Sequence, residues 1–188
     1  IKRIGSRAAF SLDCEEKILM ELLEDLFLVQ KKLSDLMGFS MFGLVHGKES
    51  QEYGAFEFKL NERMIHFRIA KTTPTKTGQF VTFWKRTGEE GPIQPYEALD
   101  AFDFLVIMVK HNECLGQFVF PKTVLIKQGV LSHGQREGKR AIRVYAPWYQ
   151  ALNKQAEKTQ KWQASYFLDL SDLKKIDWVH AQKFYEKK

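Results

Sequence analysis

Apolar residues near the start of the chain recur at intervals of three and four: Ile18, Leu19, Leu22, Leu23, Leu26, Val29, Leu33 and Leu36. That spacing lines one face of an amphipathic helix over residues 13–37. Asp13 and Glu16 have the spacing of a capping box, and Gly38 supplies the stop. The period then shortens to two. Residues 40–46 read as an edge strand and residues 53–60 as a stronger one. Residues 63–71 and 78–86 read as a strand pair joined by residues 72–77, where Pro74 bars a strand. Residues 102–109 are apolar at both phases of the alternation. This marks a strand covered on both faces, central in a sheet with helices on each side. Residues 114–120 form a strand ended by Pro121, residues 122–129 a short helix, and residues 140–145 a short strand. Pro147 opens a helical region over 148–163, and Ser171 caps a last helix running to Tyr185.

This alternation describes one α/β domain spanning residues 1–188, a length sufficient for its own core. The longest apolar run, residues 104–109, covers six positions, far fewer than a membrane span needs. No apolar segment follows the basic start Lys2-Arg3, so a cytoplasmic protein without a secretory signal is expected. Cys14 and Cys114 stand apart, and neither a disulfide framework nor a zinc site is expected of them.

Charge changes the picture more than composition does. The net charge is +6, and it is unevenly placed. Residues 63–88 hold Arg63, Arg68, Lys71, Lys76, Lys85 and Arg86 with no acid. Residues 122–143 hold Lys122, Lys127, Arg136, Lys139, Arg140 and Arg143 against Glu137 alone. Folded together, these windows would make a surface suited to phosphate. Residues 66–80 are the most unusual stretch. Alternation puts His66 and Arg68 on one face, and Lys71 and Lys76 flank a turn rich in threonine hydroxyls, a combination suited to an oxyanion. Gly78-Gln79-Phe80-Val81 recurs as Gly116-Gln117-Phe118-Val119. The repetition is read as two strands that start alike, with the two glutamines as candidates for a shared ligand. Residues 134–140 fail as a Walker loop, because three residues separate the glycines and Arg140 follows Lys139. No histidine pair has metal-ligand spacing, and no nucleophile elbow occurs.

Several blocks together resemble the MepB family. They are Glu52-Tyr53-Gly54-Ala55, the run from Phe67-Arg68 through Ala70-Lys71, Thr73-Pro74 and Gly78-Gln79-Phe80-Val81, then Trp84-Lys85-Arg86. Gly116-Gln117-Phe118, Phe120-Pro121-Lys122, Gly138-Lys139-Arg140, Arg143-Val144-Tyr145, Pro147-Trp148 and Thr159-Gln160 with Trp162-Gln163 belong with them, so the matching core covers about residues 52–167. The resemblance implies an α/β restriction-endonuclease-like (tRNA-endonuclease-like) single domain, with a central mixed β-sheet flanked by helices. It implies no particular reaction.

Nucleases of that class place an acid on one strand and an Asp/Glu-x-Lys triplet on the next, so that the acids hold magnesium. Glu57-Phe58-Lys59 spells the triplet, with Glu52 or Glu24 as its partner, but residues 63–86 contain no carboxylate at all. The leading expectation is therefore a degenerate nuclease domain that binds nucleic acid, a nucleotide or another phosphate-bearing ligand without a metal or other cofactor. Its cationic contacts would be Arg68, Lys71, Lys76, Lys85, Lys122, Lys139, Arg140 and Arg143. Thr73, Gln79 and Gln117 would supply directional hydrogen bonds. The alternatives are a magnesium-dependent phosphodiesterase using Glu52, Glu57 and Lys59, and a protein-interaction module.

Overall fold

The computed structural model describes residues 20, 21, 23, 24, 26–29, 31, 32, 35, 38–88, 90–172 and 174–186. Its centre is a six-stranded mixed sheet with the order β1-β2-β3-β8-β9-β11. The strands are β1 (Met41–His46), β2 (Phe56–Leu60), β3 (Arg63–Ile69), β8 (Phe104–His111), β9 (Cys114–Pro121) and β11 (Phe167–Asp169). Only β3 and β8 pair in parallel; the other neighbours are antiparallel. Between β3 and β8 the chain makes β4 (Lys71–Thr73), β5 (Lys76–Thr82), β6 (Trp84–Arg86) and β7 (Ile93–Pro95). A second, three-stranded sheet has the order β10-β5-β4, with β10 at Ala141–Val144.

The two-phase apolarity of β8 is realised as six consecutive buried residues, Phe104 to Val109. Phe104, Val106 and Met108 pack on one side with Leu26 and Val29 of the first helix, α1, which is helical at every described position from 20 to 35. Ala181, Phe184 and Tyr185 of α4 (Trp178–Glu186) complete that layer. Leu105, Ile107 and Val109 pack on the other side. Here the expected helical cover is largely replaced by the small sheet, through Val81, Ile142 and Val144, with α2 (Lys122–Lys127) and α3 (Lys154–Ala164) beside it. No helix among the described residues is long and apolar enough to cross a membrane.

Several boundaries differ from the sequence reading. The segments 63–71 and 78–86 are not partners. β3 lies in the main sheet between β2 and β8, and the chain leaves that sheet at Ala70 to build the β4–β5 hairpin in the other. The turn around Pro74 is tighter than residues 72–77, because Thr73 pairs with Lys76 across it. Helix α3 starts at Lys154, not at Trp148, since Asn153 is the residue whose side chain accepts from the backbone N–H of Ala156, at 2.9 Å. The last helix likewise starts at Trp178, after a turn at Lys174 and Lys175. The capping box at Asp13 and Glu16 lies outside the described residues.

One glycine is required by contact. Gly78 has φ +74°, and a Cβ there would lie 2.7 Å from both the Tyr145 ring and the Val144 carbonyl oxygen. Replacing the fully buried Leu105 by Ala is expected to lower stability by about 2–5 kcal/mol in chemical denaturation, because a strand packed on both faces cannot collapse onto the cavity.

Candidate functional site

The small sheet covers β8 and β9 but leaves the β1–β2 flank open on the same side. Along that flank, alternation places Glu57 and Lys59 opposite the core-facing Phe56, Phe58 and Leu60. Register sets Glu57 directly across from His66 of β3, and Arg68 follows on the same face two residues later. Above them is a cleft of about 790 Å³ lined by residues of β1 and its following loop (His46, Lys48, Glu49), by Glu57 and Arg68, and by Lys85, Arg86 and Tyr96.

Arg68 is 1% exposed, the largest of the fully buried side chains. Its Nη1 donates to the Phe67 carbonyl at 2.8 Å, the guanidinium lies 5.6 Å from the Phe83 ring centre, and it also donates to the Tyr96 hydroxyl oxygen. Its Nε has no hydrogen-bond partner among the described residues, and none of their carboxylates forms an ion pair with it. Burial holds the guanidinium pKa below its ordinary value, with the nearby Tyr96, Glu57 and Glu52 opposing that effect. Burial raises the Tyr96 phenol, and Arg68 opposes it. A cation this dry with no carboxylate in ion-pair contact is costly, and an anion reaching it from the cleft would relieve that cost.

The other charges lining the cleft are mostly committed to one another. Arg86 Nε pairs with Glu49 at 2.9 Å. Lys85 pairs with Asp100 at 2.6 Å and with Glu97 at 3.8 Å. Asp100 also accepts from the Glu97 N–H at 2.6 Å, while its carbonyl accepts from Lys122 Nζ. Lys85 and Lys122 therefore brace the 96–103 loop that delivers Tyr96. His66 is enclosed by Phe83, Tyr96 and Phe102, with ring centres 6.0, 5.1 and 4.8 Å away, and its Nδ1 is 3.6 Å from Glu57 Oε1. Burial first, then the Arg68 charge, push its pKa down to about 3. The imidazole is neutral at physiological pH.

The remaining sequence candidates divide among other places. Lys71, Phe80 and Arg143 form one row across β4, β5 and β10. Lys71 lies over Tyr53 and Arg143 over Phe80, 5.6 and 5.8 Å from the ring centres. Arg143 also ties the hairpin together, donating to the carbonyls of Lys76, Thr77 and Gly78 at 3.0–3.5 Å and to Thr73 Oγ1 at 3.0 Å. Arg140 is paired with Glu137 at 3.0 Å, and Lys139 is exposed. Gln79 and Gln117 are not brought together. Gln79 donates to the carbonyls of Lys110 and Ala70 beneath the small sheet, and Gln117 donates to Tyr185 on the helical side. Lys59 lies over Phe42, and Glu52 sits in a short 3₁₀ turn, Gln51–Tyr53. No three His, Cys, Asp or Glu side chains among the described residues converge as a metal site would need.

A family model described as MepB-like matches residues 47–169. The chain belongs to the MepB-like family. A crystal structure of MepB, 38% identical, superposes with a TM-score of 0.69 over 79% of this chain and 98% of its own. A bacterial homing endonuclease, 18% identical, is matched over 78% of this chain and 89% of its own with a TM-score of 0.44. No curated protein matches the chain. The match of residues 47–169 takes in every lining residue of the cleft except Val45 and His46.

Tyr96, Asp100 and Lys48 were not among the sequence candidates. Only the fold brings the 96–103 loop to Arg68, and no local pattern advertises it. His66 supplies a measurable consequence. Between pH 6.5 and about 3 the unfolded chain binds a proton there that the folded chain refuses, so stability falls as pH falls through that window. The slope is at most about 1.4 kcal/mol per pH unit. Urea denaturation from pH 7 to pH 4 should show a shallower acid decline for His66→Leu than for the unsubstituted chain, and equal declines would refute a neutral His66.

Proposed function

We propose that this MepB-like chain binds nucleic acid or another phosphate-bearing ligand in the cleft over Arg68, and does so without metal-dependent cleavage. The observation that carries the reading is the buried guanidinium whose Nε–H edge has no partner and whose charge has no ion pair among the described residues. Arginine presents paired donors that match two phosphate oxygens at once. Lys48 at the exposed rim adds attraction, and Tyr96 beside the guanidinium adds a hydroxyl.

The nuclease pattern, laid on this sheet, supports binding over cleavage. Glu57 on β2 takes the place of the strand acid, but the next strand offers His66-Phe67-Arg68 where an Asp/Glu-x-Lys triplet would stand. A neutral imidazole in an aromatic enclosure and a buried cation do not fit magnesium, which wants carboxylate and water oxygens. The alternative triplet Glu57-Phe58-Lys59 fits no better, because Lys59 is turned to Phe42. A cytoplasmic setting, where nucleic acid is at hand, accords with this reading.

The test is fluorescence anisotropy of labelled single- and double-stranded DNA and RNA at rising salt. Binding should weaken linearly on logarithmic axes, since each phosphate neutralised releases counterions. Arg68→Gln should lower affinity tenfold or more and flatten the slope by about one unit. Lys48→Glu, at an exposed position that cannot unfold the chain, should also weaken binding, whereas Lys31→Ala on α1 should change nothing. Absence of binding at low salt, or equal behaviour of the three variants, would refute the proposal. Magnesium-dependent cleavage abolished by Glu57→Gln would replace it with the phosphodiesterase reading.

A further inference from the structure

A second concave site lies on the opposite side of the small sheet's edge, between β10 and α3, with a volume of about 390 Å³. Its walls are fixed by an unusual junction. Strand β10 has β5 on one side and no strand on the other, so its outer backbone groups need partners. Gln163 of α3 supplies both: its Nε2 donates to the Arg143 carbonyl at 3.0 Å and its Oε1 accepts from the Tyr145 N–H at 2.8 Å. Gln160, one turn earlier, donates to the carbonyls of Ala146 and Tyr149 at 3.1 and 2.8 Å. Two buried or half-buried glutamines thus dock the helix as a strand would dock. Gln155, Lys158 and Trp162 of α3 line one groove with Lys139 and Tyr145.

The charge of this groove is one-sided. Arg136, Lys139, Arg143 and Lys158 line it, and no lining residue is a carboxylate. Arg143 is spent on the hairpin carbonyls, and the adjacent Glu137 is spent on Arg140. Arg136, Lys139 and Lys158 form no ion pair among the described residues. Like charges held in one concavity attract anions and have no internal means of neutralisation. A bare inorganic ion would leave the groove largely unfilled, since its volume lies within the about 300–1,000 Å³ typical of small-molecule sites. Tyr145, packed over Gly78, and Trp162, packed on Phe120, bring aromatic rings to the groove lining, and Gln155 brings an amide with donors and acceptors.

We infer that this groove binds a nucleoside phosphate, its phosphate on Lys139 and Lys158 and its base against Tyr145 and Trp162. The site is separate from the Arg68 cleft, shares no lining residue with it, and stands whether or not that cleft binds nucleic acid. The experiment is isothermal titration of the full chain at low salt with AMP, ribose 5-phosphate, inorganic phosphate and a 5′-phosphorylated hexanucleotide. AMP should bind at least tenfold more tightly than inorganic phosphate, with ribose 5-phosphate between them. Lys139→Glu and Lys158→Glu, both at exposed positions, should each weaken AMP tenfold or more. Tyr145→Leu should remove most of the advantage of AMP over ribose 5-phosphate, and Lys31→Ala, at an exposed position of α1 that lines neither site, should leave the AMP affinity unchanged. A hexanucleotide that binds more tightly than AMP and is weakened by Lys139→Glu and Lys158→Glu assigns the site to the end of a strand, and one that these substitutions leave unchanged assigns it to a free nucleotide; either keeps the phosphate-and-base chemistry. Failure of AMP to bind, equal affinity for AMP and phosphate, or indifference to both lysine substitutions would overturn the inference. Loss of AMP binding in Arg68→Gln alone would move the nucleotide to the other cleft and overturn it as well.

Discussion

Everything in this molecule is arranged around a strand that cannot meet water on either side. β8 buries six residues in succession, so two separate layers must be brought to it. Helices α1 and α4 supply one, through Leu26, Val29, Ala181 and Phe184. The chain supplies the other by leaving the main sheet after β3, folding a small sheet across β8 and β9, and returning. Area bookkeeping favours this strongly, since each fully buried Leu, Ile, Val or Phe is worth about 1.5–3 kcal/mol.

The detour has a consequence at the other end of the sheet. The small sheet is only three strands wide, and it covers the β8–β9 side of the main sheet. The β1–β2 flank is left bare, and there the alternation puts Glu57 on the uncovered face, opposite the core-facing Phe56 and Phe58. Arg68 stands at the boundary between covered and uncovered regions. The packing of Phe83, Tyr96 and Phe102 takes water away from it and from His66, while the open flank puts Arg68 in the lining of the cleft. The same coverage explains the opposite fates of two neighbouring groups. His66 gives up its charge because an imidazole readily can, and Arg68 keeps its charge because a guanidinium holds its proton too tightly to release it.

The positively charged windows read from the sequence are real but do not make one face. Lys85 and Lys122 are enlisted to hold the 96–103 loop through Asp100. Arg143 is enlisted to hold the Pro74 hairpin through three carbonyls. A basic residue that spans to a backbone oxygen contributes to the fold at the expense of its reach toward a ligand. What remains is two concavities, one with a buried arginine at its floor and one with exposed lysines on its walls.

Periodicity by itself determined much of this protein. The two-phase apolarity of residues 104–109, the stop at Pro121, the short strand read at 140–145 and found at Ala141–Val144, and the common face of His66 and Arg68 all follow from alternation and from the geometry of proline, which are local properties. The family blocks likewise belong to the sequence alone, and the match over residues 47–169 bears them out. Alternation says which side a residue faces, but not what lies on that side. Whether Arg68 would be solvated or sealed depended on a layer contributed by residues 79–102 and 142–144, distant in sequence. The pairing of residues 63–71 with 78–86 failed for the same reason. A hairpin is the cheapest partner for a strand in entropy, yet β3 gains more by lying parallel to a strand apolar from Phe104 to Val109, some forty residues away. Register across that non-local pair, and the cover laid over it, are decided by the summed burial of the whole core, and no window of sequence contains that sum.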